Sequence, residues 1–190
     1  MTEQQLITAL CNGEEPAFKE LVDQFGDRVF NTALGLLQQQ QDAEDIAQEV
    51  FIQVYRSIGQ FKGESLLSTW IYRITVTKSL DHLRSKKRKK RFGFVRSLFG
   101  DNNQPIIEPG DFVHPGIIQE KKEDAAMLFS MIEELPENQR TAFILNKVED
   151  LSYREIADIL KTTESAVDSL LQRAKQNLRK KLSDKINGPP

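Results

Sequence analysis

Residues 92–116, FGFVRSLFGDNNQPIIEPGDFVHPG, split the chain into two stretches of one character with a third of another between them. Pro105, Pro109 and Pro115 remove backbone donors, and Gly93, Gly100, Gly110 and Gly116 loosen the backbone around them. Neither a long helix nor a strand ladder is expected to survive there. On either side, from Pro16 to about Arg91 and from about Glu120 to Leu182, apolar residues recur at helical spacing, with no strand alternation and no internal repeat. The expectation is an all-α chain: two small helical domains, residues 1–95 and 123–190, joined by an irregular linker over 96–122. With 190 residues to divide, each is smaller than the commonest domain size of about 100 to 150 residues. Phe92, Phe94, Phe99 and Phe112 make the connecting stretch stickier than an inert spacer.

Several function classes fall away on residue types. Cys11 is the single cysteine, and with only His82 and His114 beside it neither a disulfide framework nor a metal-ligand cluster can be assembled. No Gly-rich phosphate loop and no compelling set of carboxylate, Cys and His side chains appears, so no catalytic residue, metal or cofactor is expected. No apolar run approaches the roughly 20 residues that cross a bilayer, and MTEQQLITAL lacks the basic start and apolar core of a signal peptide. The expected location is the cytoplasm, without membrane insertion.

The net charge of −2 conceals a segregation. Residues 1–60 hold Lys19, Arg28 and Arg56 against ten acids, whereas residues 78–96 hold Lys78, Arg84, Lys86, Lys87, Arg88, Lys89, Lys90, Arg91 and Arg96 against Asp81 alone. The C-terminal stretch is basic again through Arg173, Lys175, Arg179, Lys180, Lys181 and Lys185. Such a pattern suits one surface for a basic protein partner and two for phosphate.

In EPAFKELVDQFGDRVFNTALGLL, Phe18, Leu21, Val22, Phe25, Val29 and Ala33 share one side, which predicts a helix or a helix pair broken near Gly26 and ended by the four glutamines at 38–41. Asp42 is the predicted N-cap of DAEDIAQEVFIQVYRSI, whose buried stripe is Ala43, Ile46, Ala47, Val50, Val54 and Ile58. The opposite face carries Asp45, Gln48, Glu49, Ile52 and Arg56, an acidic surface with an isoleucine in it: a solvated face with one stray apolar residue, or a docking face. In FKGESLLSTWIYRITVTKSLDHLRSKKRKKR, Gly63 permits a turn, Ser65 or Ser68 can cap, and a helix from about Leu67 runs into the basic cluster. Trp70, Ile71 and Ile74 are assigned to the core, whereas Arg73, Lys78 and Arg84 cannot all be buried. Dense Lys and Arg continuous with a helix bearing Trp70 and Tyr72 suits nucleic acid, since cations neutralise phosphate and rings stack on exposed bases.

In LSYREIADILKTTESAVDSLLQRAKQNLRKKL, residues 151–182, Ser152 and Glu155 form a capping-box signal for a helix that turns Ile156, Ile159 and Leu160 inward. Lys161 to Thr163 make the turn. On the next helix Val167, Leu171, Ala174, Leu178 and Leu182 form the inner stripe, and Ser165, Ser169, Gln172, Arg173 and Gln176 the outer face, with Leu170 and Asp168 on its flanks. This arrangement matches a helix-turn-helix, whose second helix lies in the major groove; an αα-hairpin that binds nothing has the same local pattern.

Taken in order, three of these stretches resemble the extracytoplasmic-function class of bacterial RNA polymerase sigma factors, over nearly the whole chain outside the linker. DAEDIAQEVFIQVY resembles the segment that docks on the clamp helices of the polymerase's largest subunit, which implies Asp45, Gln48, Glu49 and Ile52 as core-binding residues. FKGESLLSTWIYRI and LDHLR resemble the promoter-melting segment. That likeness implies minus-ten contacts by Lys62, Ser65, Trp70, Tyr72, Arg73, Thr77, Lys78, Arg84, Lys87 and Arg88. LPENQRTAFIL, LSYREIADIL and AVDSLLQRAKQNLR resemble the minus-thirty-five domain, implying Ser165, Ser169, Gln172, Arg173, Gln176 and Arg179 as readers of upstream duplex. The implied partners are core polymerase, through its clamp helices and flap, and promoter DNA, and the resemblance admits an anti-sigma protein. Thr77 stands where many members have Asn, Leu67 where Phe is common, and Asp168 and Leu170 where Lys and Arg are frequent, so the promoter sequence does not follow. Asp168 either accepts from a cytosine amino group or repels phosphate. The competing readings are a stand-alone helix-turn-helix regulator with a sensing N-terminal half, which predicts an apolar pocket or dimer seam there, and an enzyme acting on nucleic acid.

Overall fold

A computed structural model describes the backbone of residues 1–98 and 122–187, and the side chains of 1–89 and 127–184. The described residues form eight α-helices and one 3-10 turn, Ile58–Gln60, in the order α1 (Glu3–Cys11), α2 (Glu15–Leu37), α3 (Gln40–Ser57), α4 (Leu67–Leu98), α5 (Lys122–Glu133), α6 (Glu137–Lys147), α7 (Tyr153–Leu160) and α8 (Glu164–Asn187). The all-α expectation holds. Most of the expected linker, residues 99–121, lies outside the described residues.

Local signals fix several helix ends. Thr2 and Gln5 form a reciprocal capping box that starts α1, ahead of the periodic segment. Glycine at position 26 does not break α2, which runs unbroken to Gln38, where a left-handed φ of 55° stops it. A lone glycine costs only about 1 kcal/mol in a helix whose flanks bury Leu21, Phe25 and Val29. The same reasoning corrects the expectation for residues 92–98: α4 continues to Leu98 because Gly93 alone does not end it and the first proline is Pro105. Asp42 is not the N-cap of α3. Gln39 holds that place, and the Asp42 carboxylate instead takes the Lys86 ammonium at 2.7 Å, with His82 Nε2 3.2 Å away. Neither Ser65 nor Ser68 is seen capping α4; the Leu67 amide donates to the Glu3 carboxylate of α1 at 3.4 Å.

Two apolar clusters result. The first joins α1 to α4 around Leu21, Val29, Val50 and Ile71. The second joins α5 to α8 around Ile132, Ile144, Ile156 and Leu171, and it also takes in Leu36 from α2 and Tyr72 and Val76 from α4. The two halves are therefore in contact. Where α2 meets α6, a Cβ on Gly35 would lie 2.9 Å from Ile144 Cγ2, so only glycine allows that approach without a shift.

Candidate nucleic-acid and partner interfaces

On α3 Ala43, Ile46, Val50 and Val54 of the inner stripe are buried, with Phe51 added to them, Ala47 half-buried and Ile58 buried in the turn that follows, and Asp45, Gln48, Glu49 and Ile52 are all exposed. Ile52 keeps 49% of its surface and Tyr55, one turn on, keeps 53%, its ring in a T-shaped contact with Phe18, centroids 5.6 Å apart. An acidic face bearing two large uncovered apolar side chains is poorly explained as a solvated surface. Tyr55 escaped the sequence reading, although its spacing from Ile52 could have flagged it. Glu49 is not wholly free, since Lys78 of α4 donates to it at 3.1 Å.

The helix-turn-helix of α7 and α8 forms as its sequence dictates. Ser152 Oγ accepts from the Glu155 amide and the Glu155 carboxylate accepts from the Ser152 amide at 2.8 Å. The Ser152 hydroxyl also donates to that carboxylate, at 2.6 Å, and this bond first and the amide bond second hold the Glu155 carboxyl below its usual range. Lys161, left-handed at φ 52°, ends α7, and Thr163 Oγ1 accepts from the Ala166 amide to start α8. Val167, Leu171, Ala174 and Leu178 are buried, but Leu182 is 40% exposed and is no part of the inner stripe, because it falls near the end of α8 where little packs above it. Ser165, Ser169, Gln172, Arg173, Gln176 and Arg179 are all exposed, and half-buried Leu170 packs on the core. Gln172 donates its amide to the Asp168 carboxylate at 2.8 Å, so Asp168 has a partner on its own helix.

The ten residues around α4 are not brought to one face. Lys62, Thr77, Lys87 and Arg88 are exposed, and Ser65 is half-buried. Trp70 is half-buried against Phe61, ring centroids 5.2 Å apart. Lys78 turns to α3. Tyr72, Arg73 and Arg84 turn to the second half: the Tyr72 hydroxyl donates to Glu149 at 3.0 Å, Arg73 donates to the Asp158 carbonyl at 2.6 Å, and Arg84 pairs with Glu137 and Asp81. Tyr72 is only 4% exposed, so in this arrangement its ring cannot stack on a base. Burial raises the Tyr72 pKa and the Glu149 carboxylate beside it raises it further, keeping the phenol a donor. Burial likewise pushes the Glu149 carboxyl above its usual range, with the Tyr72 hydroxyl and Arg28 pulling it back. Next to Glu149 the backbone turns at Asp150, φ 54°, a conformation that a short polar side chain tolerates.

Among the described residues no group of three or more His, Cys, Asp or Glu could hold a metal ion, and no helix is long and apolar enough to cross a membrane.

Residues 21–89 match the family model for sigma-70 region 2, and residues 125–178 match sigma-70, region 4. The chain is 31% identical to the RNA polymerase sigma-H factor of Pseudomonas aeruginosa, over 95% of its own length and 93% of that protein's. It is 30% identical to the ECF RNA polymerase sigma factor SigW of Bacillus subtilis, over 94% and 95% of the two lengths. In fold it is similar to CnrH, solved in complex with the cytosolic domain of CnrY, at a TM-score of 0.69 and 19% identity over 95% of this chain and 97% of that one.

Proposed function

The chain belongs to the sigma-70 family, within its extracytoplasmic-function class, and from that premise we propose how its surfaces divide the work of starting transcription. As an RNA polymerase sigma factor it binds core polymerase and directs promoter-specific initiation, and it is not an enzyme. The α3 face of Asp45, Gln48, Glu49 and Ile52 docks on the clamp helices of the largest subunit, where acids meet basic side chains and Ile52 meets an apolar groove. Lys62, Ser65, Trp70, Tyr72, Arg73, Thr77, Lys78, Arg84, Lys87 and Arg88 engage the minus-ten element, with cations on phosphate and rings on unstacked bases. Ser165, Ser169, Gln172, Arg173, Gln176 and Arg179 read the minus-thirty-five duplex from α8. Residues 1–95 and 123–190 are the two working domains and 96–122 the tether between them. The site of action is the cytoplasm, where the template is, and an anti-sigma protein is a further partner.

The observation that carries this reading is the coexistence, in one chain, of an uncovered acidic and apolar face on α3 and an uncovered hydrogen-bonding face on α8. A stand-alone regulator has use for the second and none for the first. The test is reconstituted transcription: purified chain and bacterial core polymerase on a library of genomic promoter fragments. Initiation at a defined subset of fragments, absent without the chain, is expected. Tight binding to specific duplex sites with no core assembly and no transcripts would favour the regulator.

A further inference from the structure

Four residues of α4, Thr77, Asp81, Arg84 and Arg88, are spaced by four, three and four, which places them within about 60° of one another around the helix. All four are exposed, so together they make a narrow open stripe. Thr77, Arg84 and Arg88 belong to the set proposed above for the minus-ten strand; Asp81, standing between them, does not. A strand laid on its neighbours passes over Asp81 as well. An acid in that place needs a reason, because residues 78–96 otherwise hold nine cations and a carboxylate among them repels phosphate.

Its surroundings leave it able to read a base. The Asp81 side chain keeps 65% of its surface. Oδ1 accepts from Arg84 Nη1 at 3.2 Å, and among the described residues Oδ2 has no hydrogen-bond partner. In the closed form, with the two halves in contact, Arg84 also pairs with Glu137, so Asp81 is not the sole group that holds the guanidinium. Thr77, one turn earlier, spends its hydroxyl proton on the Arg73 carbonyl at 2.8 Å. The stripe thus offers a strand two guanidiniums, a methyl group and a carboxylate, and the carboxylate is its strongest acceptor.

Bases differ in what they present to such a group. In a single strand the Watson–Crick edge is bare. Guanine sets two adjacent donors there, N1–H and the 2-amino group, spaced to meet the two oxygens of one carboxylate. Cytosine and adenine offer one amino group beside a ring nitrogen that accepts, and thymine one N3–H between two carbonyls, so each turns lone pairs toward the acid. From the stripe and this chemistry we propose that Asp81 is a specificity-determining residue, accepting from the Watson–Crick edge of one unstacked guanine in the melted strand. Arg84 beside it offsets the negative charge that the phosphates of the strand would otherwise meet. The inference rests on the assignment of α4 to single-stranded DNA.

The test uses the full chain assembled with bacterial core polymerase, a random-sequence pool of single-stranded oligonucleotides, and sequencing of the bound fraction, with core polymerase alone as reference. Wild type is expected to enrich guanine at one position about tenfold, the discrimination of a good bidentate base contact. Asp81→Ala should lose that preference, and so should Asp81→Asn, which sets an amide donor against guanine's second donor. Unchanged melting temperatures check that neither substitution disturbs α4. The sharpest comparison alters the DNA: deoxyinosine at the selected position lacks the 2-amino group, so it should weaken binding by wild type and leave Asp81→Ala indifferent. If Asp81 only orients Arg84, Asp81→Ala weakens every sequence alike and inosine costs both proteins the same. If it only repels phosphate, Asp81→Ala binds every sequence more tightly, with a gain that shrinks as salt rises. Either result, or a bound pool with no enriched guanine, would falsify the base contact. A complex that retains no more strand than core polymerase alone would remove the α4 assignment with it, whereas retention without guanine enrichment would leave that assignment standing.

Discussion

The two long basic helices of this chain, α4 and α8, present their polar side chains under opposite conditions. On α8 the inner stripe is closed by its own half, and every residue proposed to read duplex is exposed. On α4 the stripe at Tyr72 and Val76 lies in the cluster of the other half, while Lys78, His82 and Lys86 face the acids of α3. The face proposed to read duplex is open for it. The stripe proposed for single-stranded DNA is taken by protein groups. Density of positive charge in the sequence therefore does not identify an open binding face; what closes each flank of the helix does.

The largest effect that tests this contrast is in the shared core. Ile144 is fully buried and touches both halves, so Ile144→Asp should cost about 4 kcal/mol or more and collapse the second half, whereas Ile52→Asp, on the open α3 face, should leave thermal stability almost unchanged and weaken core-polymerase binding. Thermal denaturation beside a core-binding assay separates them. Equal stability losses would mean that Ile52 is covered in solution.

Next in size is the open face of α8. Arg173→Ala should lose about 1 to 3 kcal/mol of upstream duplex binding if Arg173 makes a bidentate base contact, with the melting temperature unmoved. A drop in melting temperature of several degrees would show that Arg173 packs rather than reads.

The Tyr72–Glu149 bond is worth less. Tyr72→Phe leaves a buried carboxylate without its donor and should weaken the closed contact by about 1 kcal/mol. Its pH dependence has a definite sign. Because burial raises the Glu149 pKa in the closed form, that form holds the proton at pH values where an opened, solvated Glu149, with the ordinary carboxylate pKa, has lost it. Closure is thus favoured most on the acid side of that window and weakens as pH rises through it. The difference between wild type and Glu149→Gln isolates this slope, since Glu155, with its lowered pKa, contributes stability that is lost as pH falls. A flat difference across the window would mean that Glu149 is solvated in both forms.

What the sequence announced and what it withheld divide along the same line. The Ser152–Glu155 box, the Val167–Leu178 stripe and the exposed α3 face follow from spacings of three and four residues, which local geometry alone converts into facing side chains. Tyr72 could not be placed that way, because its carboxylate partner lies 77 residues further on. Likewise Thr32 through Leu37 are buried all round, against the one-sided stripe expected of α2, because both halves press on that end. Asp42 has the right type for a cap but lies within a salt bridge's reach of Lys86, 44 residues away, and the charge pair takes it.

The smallest effect concerns Asp168, which the sequence left between reading a cytosine and repelling phosphate. The Gln172 bond supplies a third role, holding that amide in one orientation on the open face, and the three are separable by substitution. Asp168→Lys reverses a charge flanking the groove, so it should raise affinity on every duplex, with the gain shrinking as salt rises. Asp168→Asn removes the charge yet keeps an acceptor for Gln172, whereas Asp168→Ala removes both. Any difference between Asn and Ala therefore measures the orientation of Gln172, and an exposed pair one turn apart sets it at a few tenths of a kcal/mol. The bond should matter only where Gln172 meets a base: the Ala variant should relax preference at one position of the upstream element while the Asn variant keeps it. Binding measured on duplexes that differ at single positions decides the case. If Asn and Ala instead both lose affinity for one base pair alone, and Lys gains nothing elsewhere, Asp168 accepts from that base directly, and the bond to Gln172 is what it exchanges on docking.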